Sequence, residues 1–278
     1  MFFAAAKNIF NIDNVSSRWR VRILYLLMVI LNAAIHFNPL ADSDFSPLYN
    51  WMNSFYSVTE YDQELYNTLF SSVPISQGNV VYLLTLFVGE LLFILGAYIY
   101  ASVYVRDYRI EKAKAAAENG QDAINYAVTS IPDEPIKPSR LVKRLLLLML
   151  MTTVLFLPVL TISLNFMFLA IIGLPFVFTA PVAYLAGDKG LFTSLPYVCK
   201  LSSKYYFLNM RSIALVLFVI LAMDFLVPLI SKVSLTAYYI VDSAVTAWLW
   251  LSIARLAALA YCSMKDFPIK GSKRPFAI

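Results

Sequence analysis

The sequence has no charged residue from Leu145 to Gly187, a run of about 43 positions. At a rise of about 1.5 Å per residue, a helix of this length would cross a hydrocarbon layer of about 30 Å twice. Backbone that faces lipid must satisfy its own hydrogen bonds, so only helices or a closed barrel can span a membrane. The run lacks the alternation of polar and apolar residues that barrel strands require. We therefore predict an all-α, polytopic membrane protein.

Composition and further apolar runs extend this prediction to the whole chain. Of 278 residues, 60% are hydrophobic and 14% are charged, against about 45–50% and about 25% in soluble domains. We predict a single integral membrane domain over residues 1–278, with six transmembrane helices. The predicted spans are about 23–37, 80–104, 145–163, 166–187, 212–230 and 235–262, with an outer loop at 38–79 and an inner loop at 105–144.

Lysine and arginine residues are divided unevenly between the two sides of this six-span arrangement. Of the 22, all but Lys232 and Arg255 fall in the N-terminal arm, the loops after spans two and four, and the C-terminal tail. The positive-inside rule then predicts that both the N and C termini are cytoplasmic, in a multi-pass protein of the cytoplasmic (inner) cell membrane. The net charge of +5 fits attraction to anionic lipid, so we expect the lipid bilayer as a partner and no nucleic acid.

Two segments outside the spans have the composition of interfacial structure. The N-terminal "MFFAAAKNIF" predicts a small amphipathic helix on the inner surface, with Phe2, Phe3 and Phe10 in lipid and Lys7 toward water. The outer loop has five acids, no Lys or Arg, and an aromatic series that begins at Tyr49. This loop is typical of a helical cap in the interfacial aromatic belt. The alternative is a lid over a central cavity or a docking surface for an outside partner.

The inventory of chemically reactive side chains is small. His36 is the single histidine, the two cysteines are Cys199 and Cys262, and no Walker A loop, G-x-G-x-x-G or H-E-x-x-H occurs. A metal site needs more ligands than this set supplies. We therefore predict no catalytic residue, no metal site and no cofactor.

Residues Leu191 to Leu201, with apolar side chains about three and four apart, predict a helix lying on the cytoplasmic face and interrupted at Pro196. From Pro175 to Tyr261, a Pro-containing span, a Gly-acid-x-Gly turn, the stretch "LFTSLPYVCKLSSKYYFLN" and a basic-started apolar span follow in order. This order resembles a family of uncharacterised bacterial six-span proteins, and the membrane domain of some glycerophosphodiester phosphodiesterases. The resemblance implies a six-helix bundle and no established activity.

Two acids fall inside predicted spans. Glu90 lies about ten residues into span two and Asp224 about twelve residues into span five, which predicts similar depths. A charge at the bilayer centre costs about 2.5–3.5 kcal/mol, so each needs a compensating partner or a proton. Pro228 leaves the carbonyl of Asp224 without its helical donor. The three residues form a candidate intramembrane polar site; the alternative is that the acids make structural hydrogen bonds between helices.

Arg255, near the inner end of span six, is a possible ion-pair partner for either acid. The alternative is that its side chain reaches the headgroups along the helix surface.

Several prolines predict kinks that leave room in the bundle. Pro158, Pro175, Pro181 and Pro228 fall in three consecutive spans. Discontinuous helices are common at transporter substrate sites.

Three functions remain open. The first is a non-catalytic membrane subunit of a transport or export system, paired with another membrane subunit or a cytoplasmic ATPase. The second is an accessory or scaffold protein that binds through its outer aromatic loop or cytoplasmic face. The third, an intramembrane lipid-modifying enzyme, is disfavoured because bases and nucleophiles are few.

Overall fold

The protein is helical throughout most of the residues that the structure describes. The computed structural model describes residues 7–56, 67, 73–118 and 137–266, and no strand occurs among them. After one helical turn at residues 7–10, the helices are α1 (Arg18–His36), α2 (Ser46–Tyr56), α3 (Gln77–Glu118), α4 (Pro138–Asn165), α5 (Met167–Val177), α6 (Ala180–Leu185), α7 (Leu191–Ser202), α8 (Tyr206–Leu226) and α9 (Leu235–Asp266). Two 3₁₀ helices, Ser203–Tyr205 and Val227–Lys232, flank α8.

Six helical stretches in the described ranges are long and apolar enough to cross a membrane, as the sequence predicted. They are Arg18–His36, Gln77–Lys112, Pro138–Thr161, Met167–Leu185, Leu191–Lys232 and Leu235–Asp266. The second and the fifth are longer than the roughly 20 residues that a hydrocarbon core requires. α3 continues past its candidate span, to Glu118.

The helix of the fourth span is interrupted for two residues, Phe178 and Thr179, whose backbone stays in the right-handed region. α5 ends at Val177 and α6 begins at Ala180, with Pro181 in its first turn. A proline is well placed at a helix start, where its missing N–H has no intrahelical partner. The break frees the carbonyl oxygen of Pro175, which accepts a hydrogen bond from Asn209 Nδ2 at 3.3 Å. The side chain of Asn209 in α8 therefore links the two helices at the break.

Two other prolines also act differently from the sequence expectation. Pro228 does not kink α8; it lies in the first turn of the 3₁₀ helix that follows. Pro196 does not interrupt the helix predicted over residues 191–201, since α7 is continuous from Leu191 to Ser202. Each proline removes one backbone donor, and the chain accommodates that loss by a change of helix type or by continuing past it.

Helices α1, α3 and α9 form the centre of the bundle. Their contact is lined by buried side chains that include Tyr100, Leu251 and Ala258. Glycine permits the close approach of α1 and α3: a Cβ atom at Gly96 would lie 2.8 Å from Met28 Sδ. Gly89, seven residues earlier on the same face, lies against Ile35 in the same way. Small residues at a membrane helix interface let backbones pack closely, which adds dispersion contacts.

The described loops separate into two ends of the bundle. We call the basic end the one where residues 17, 107–112, 144, 186–189 and 261–266 meet. Ser17 donates its backbone N–H to Asp107, Lys112 donates to Asp266 at 2.7 Å, and Arg144 donates to the Lys189 carbonyl at 3.0 Å. At the opposite end, His36 pairs with Asp242 and Asn79 donates to the Asp42 carbonyl. The loops thus share ends as six crossings require.

The N-terminal segment, residues 7–17, packs into the basic end. Ile9 is 1% exposed, and the ring of Phe10 lies 5.1 Å from that of Trp248 in α9. The sequence placed Phe10 in lipid, but the structure places it against the bundle. Phe2 and Phe3 lie outside the described residues, as do Tyr61, Tyr66 and Phe70 of the outer loop.

Candidate functional site

Glu90 lies in the middle of α3 and faces out of the bundle. Its side chain is exposed, whereas its neighbour Gly89 is buried against Ile35 of α1. Within the described residues, no hydrogen bond or ion pair reaches the Glu90 carboxyl group. In a membrane, this orientation directs the carboxyl group toward lipid or toward another chain.

Asp224 is also exposed, three residues from the start of the 3₁₀ helix that contains Pro228. No hydrogen bond joins it to Glu90 or to any other described residue. α3 packs chiefly against α1, α4, α6 and α9, while α8 packs chiefly against α5, α9 and the flanking 3₁₀ helices. The structure therefore does not join Glu90, Asp224 and Pro228 into one polar site.

Arg255 is the largest fully buried side chain of the described structure, at 1% exposed. Its guanidinium donates to the backbone carbonyls of Asn8 and Asn14 and to Tyr100 OH at 3.2 Å, and it lies 5.0 Å from the ring centre of Tyr104. It pairs with neither Glu90 nor Asp224, and it does not extend outward to headgroups. Buried donors must find acceptors, and here the N-terminal segment supplies them.

A polar network around Asp188 joins three segments at the basic end. The Asp188 carboxylate accepts hydrogen bonds from Arg109 Nη2 at 3.1 and 3.0 Å and from the hydroxyl of Tyr261, and it lies 2.9 Å from Lys265 Nζ. Arg109 also donates to the Ala186 carbonyl at 2.8 Å. The side chains of Arg109 and Asp188 are 9% and 12% exposed. The network thus ties α3 and α9 to the turn between α6 and α7.

The turn itself explains how Asp188 reaches these partners. Gly187 has a φ of 85°, a left-handed conformation that residues with a side chain rarely adopt. The sequence contains a signal for this site, the "GDKG" at positions 187–190, in which Asp188 is the sole acid between Glu134 and Asp224. This motif does not indicate which residues Asp188 contacts, because Arg109 and Lys265 lie 79 and 77 residues away along the chain.

A second carboxylate and a histidine form further pairs that the sequence did not indicate. Asp266 binds Lys112 at 2.7 Å and accepts a hydrogen bond from Tyr108, which extends the contact between α3 and α9. At the opposite end, His36 Nε2 lies 2.9 Å from Asp242 Oδ2, and the His36 ring stacks on Tyr239.

A polar pocket and an apolar groove open on the described surface. A polar pocket of about 450 Å³ lies at the basic end between residues 14–18 and residues 104–111 of α3, and Asp107 and Glu111 line it. An apolar groove of about 580 Å³ runs between α3, α4, α6 and α7. Neither contains Glu90 or Asp224. Within the described residues, no three side chains of the metal-binding types come together.

No protein-family model, no curated protein and no solved structure matches this chain. The resemblance over residues 175–261 therefore stays a prediction.

Proposed function

We propose that this chain is a non-catalytic membrane subunit of a transport or export system in the cytoplasmic membrane. The basic end faces the cytoplasm in this proposal, with both termini on that side. The sequence distribution of Lys and Arg supports this orientation, since anionic lipids line that leaflet. The contacts among residues 17, 107, 112, 188 and 266 gather several of these charged segments at one end.

The exposed carboxyl group of Glu90 is the observation that carries the proposal. Glu90 lies 13 residues from the start of α3 at Gln77, about 20 Å along the helix. A charged side chain at that depth costs about 2.5–3.5 kcal/mol if lipid surrounds it. A donor on a neighbouring chain would offset this cost. We therefore assign the Glu90 face of α3 to an interface with another membrane subunit.

The broken fourth span favours transport over a purely structural role for that assembly. Three buried polar atoms near the break, Thr179 Oγ1, Tyr205 OH and Asn209 Oδ1, have no hydrogen-bond partner within the described residues. Broken helices with free polar groups are typical of the substrate and ion sites of transporters. In an export system the energy would come from a cytoplasmic ATPase bound at the basic end.

Photo-crosslinking in the native membrane tests the proposed interface. A photoreactive amino acid replaces Leu83, which is exposed and lies seven residues from Glu90 on the same helix face. The control position is Leu157 on α4, which is also exposed. We expect a crosslink to a second membrane protein from position 83 and not from position 157. Equal labelling from both positions, or a crosslink to lipid alone, would refute the interface.

Substitution of Glu90 separates the charge from the shape of the interface. Glu90→Gln keeps a hydrogen-bonding side chain and should retain the partner in mild detergent, whereas Glu90→Leu should release it. An ATPase among the proteins that co-purify with the wild type identifies a transport system. If Glu90→Leu retains every partner, Glu90 does not hold the assembly together.

An accessory or scaffold role is the second candidate, and the exposure of α2 favours it. Tyr49 in this helix is 66% exposed, as expected for a side chain that contacts the interfacial layer or a partner. Tyr49→Ser tests this role. Loss of the co-purifying proteins in this variant but not in Glu90→Leu would place the interface at α2 and favour the scaffold over the transport subunit.

A further inference from the structure

The apolar groove between α4 and α6–α7 has the dimensions of a ligand site. Its volume of about 580 Å³ lies within the range of about 300–1,000 Å³ that is typical of small-molecule pockets. Along α4 it extends from Leu148 to Leu160, about 18 Å at the helical rise. This length is slightly more than half of a hydrocarbon layer of about 30 Å. The groove therefore spans the depth of one leaflet.

Three hydroxyl groups of the groove have no free donor for a polar ligand, because each already donates within the protein. Tyr98 OH lies 3.2 Å from Thr152 Oγ1, and Thr152 in turn donates to the Leu148 carbonyl at 2.8 Å. Ser194 donates to the Leu191 carbonyl at 2.7 Å. The remaining lining is mainly aliphatic and aromatic, with Leu155 45% exposed. Water requires two to four polar partners in such a site, so the groove suits a hydrocarbon chain.

Two cations lie at the end of the groove that belongs to the basic end. Arg144 is one helical turn before Leu148, and its guanidinium lies 4.8 Å from the ring centre of Tyr184, which lines the groove. Its Nη1 donates to the carbonyls of Tyr184 and Lys189. Lys189 Nζ lies 5.0 Å from the ring centre of Tyr197. The guanidinium of Arg144 therefore lies beside the groove lining at Tyr184. Lys189, two residues before the lining residue Leu191, supplies a second cation on a flexible side chain close to the groove mouth.

The guanidinium of Arg144 retains the edge that binds phosphate. Its Nε and Nη2 donors make no hydrogen bond within the described residues, and these groups form the fork that binds phosphate through two hydrogen bonds. No Asp or Glu occurs between Glu134 and Asp188. Asp188 itself is occupied by Arg109, Lys265 and Tyr261. The groove mouth thus presents positive charge without a competing carboxylate from α4.

We infer that this groove binds one anionic glycerophospholipid of the surrounding bilayer, with an acyl chain between α4 and α7 and the phosphate at Arg144 and Lys189. Basic pockets between membrane helices are typical binding sites for anionic headgroups, and here the apolar groove also binds the acyl chain. The groove borders the face of α3 that carries Glu90, because Ile94, one helical turn further along α3, lines it, whereas Glu90 does not. The inference does not depend on the proposed function.

Native mass spectrometry of the purified, delipidated chain tests this inference. Phosphatidylglycerol and phosphatidylcholine with the same two oleoyl chains are added separately, and the lipid bound per chain is counted. We expect one phosphatidylglycerol to bind, at least about fivefold more tightly than phosphatidylcholine, since one basic contact near a membrane surface contributes about that factor. Equal retention of the two lipids would overturn the assignment, as would retention of a free fatty acid in place of phospholipid.

Matched variants locate the lipid. Leu155→Trp narrows the groove, whereas Leu157→Trp changes an exposed residue of α4 outside its lining. We expect Leu155→Trp to lower phosphatidylglycerol binding at least about tenfold, because displacing two methylene groups from apolar contact is worth that much, and Leu157→Trp to leave it unchanged. Unchanged binding in Leu155→Trp would refute the site.

Two charge variants test the headgroup contact. Arg144→Gln and Lys189→Gln should each weaken phosphatidylglycerol binding about fivefold, whereas Arg211→Gln, which removes an exposed cation at the start of α8, should not. Lys189→Gln keeps the backbone hydrogen bond to Arg144 and remains informative if Arg144→Gln fails to fold. Equal loss in all three variants would indicate a general surface charge effect and refute a defined phosphate site.

Discussion

Replacement of Arg255 by Met tests two consequences of burying a guanidinium in the bundle. The first is the docking of the N-terminal segment, and the second is the stability of the helical core. The variant loses the hydrogen bonds to the Asn8 and Asn14 carbonyls. A hydrogen bond to a charged group contributes about 1.5–3 kcal/mol, so the two together hold the N-terminal segment by about 3 kcal/mol or more. A docking equilibrium that loses 3 kcal/mol shifts about 150-fold toward the undocked state.

Global stability should change much less than docking in the same variant. Burying an ion costs several kcal/mol even after relaxation, and Met removes that cost while filling similar space. We therefore expect the free energy of unfolding of the helical core to change by at most about 1 kcal/mol. Ile9 still contributes apolar contact, so the variant should fold with a loosely attached segment.

Hydrogen–deuterium exchange measured by mass spectrometry in detergent micelles reports both quantities. Peptides covering residues 8–17 should exchange about two orders of magnitude faster in Arg255→Met, as expected from a shift of about 150-fold in the docking equilibrium. Peptides from the middle of α9 should keep their protection. Arg211→Met, at an exposed position, is the control and should change neither. Unchanged protection of residues 8–17 in Arg255→Met would refute the role assigned to this arginine.

Three further predictions concern single side chains. Asp188→Asn leaves the buried cation of Arg109 without its counter-charge and should lower the free energy of unfolding by about 3 kcal/mol, whereas Asp224→Asn, at an exposed residue, should change it by less than about 0.5 kcal/mol in the same denaturant titration. Gly96→Val crowds Met28 and should cost about 1–3 kcal/mol in thermal unfolding, while Gly173→Val, with nothing within 4 Å of its Cβ position, should cost less. The hydrogen bonds from Ser46 hold the pKa of Asp44 below its usual value. The contact therefore stabilises the start of α2 at pH values above the pKa of Asp44 in the unfolded chain, and it is lost as the pH falls through the lower pKa of the folded protein. We expect α2 to lose exchange protection on acidification, and Asp44→Asn to remove that pH dependence.

The sequence by itself determined the class of fold and the number of spans. Hydropathy is a local property, and a charge-free run such as Leu145 to Gly187 has few alternatives to membrane helices. The grouping of the loops also followed, since six crossings bring residues 17, 188 and 266 to one end. The predicted end of span three at residue 163 lies two residues before the end of α4 at Asn165.

The faces of the helices were decided only by tertiary structure. In water an apolar stripe marks the inner face of a helix, but lipid is as apolar as a protein core, so the sequence pattern of α3 or α8 does not indicate which side packs. The sequence therefore placed Glu90 and Asp224 at a depth but not in a direction, and both proved to face outward.

Long-range polar contacts were likewise beyond the sequence. Arg255 binds backbone carbonyls 241 and 247 residues away along the chain. Every residue has such a carbonyl, so the sequence does not indicate which ones Arg255 binds. Asp188 was visible as an acid in a glycine turn, but its partners on α3 and α9 became neighbours only when those helices packed. The apolar composition of the chain indicates that it folds in lipid, whereas the partner of a buried charge depends on which distant segments the packed helices bring together.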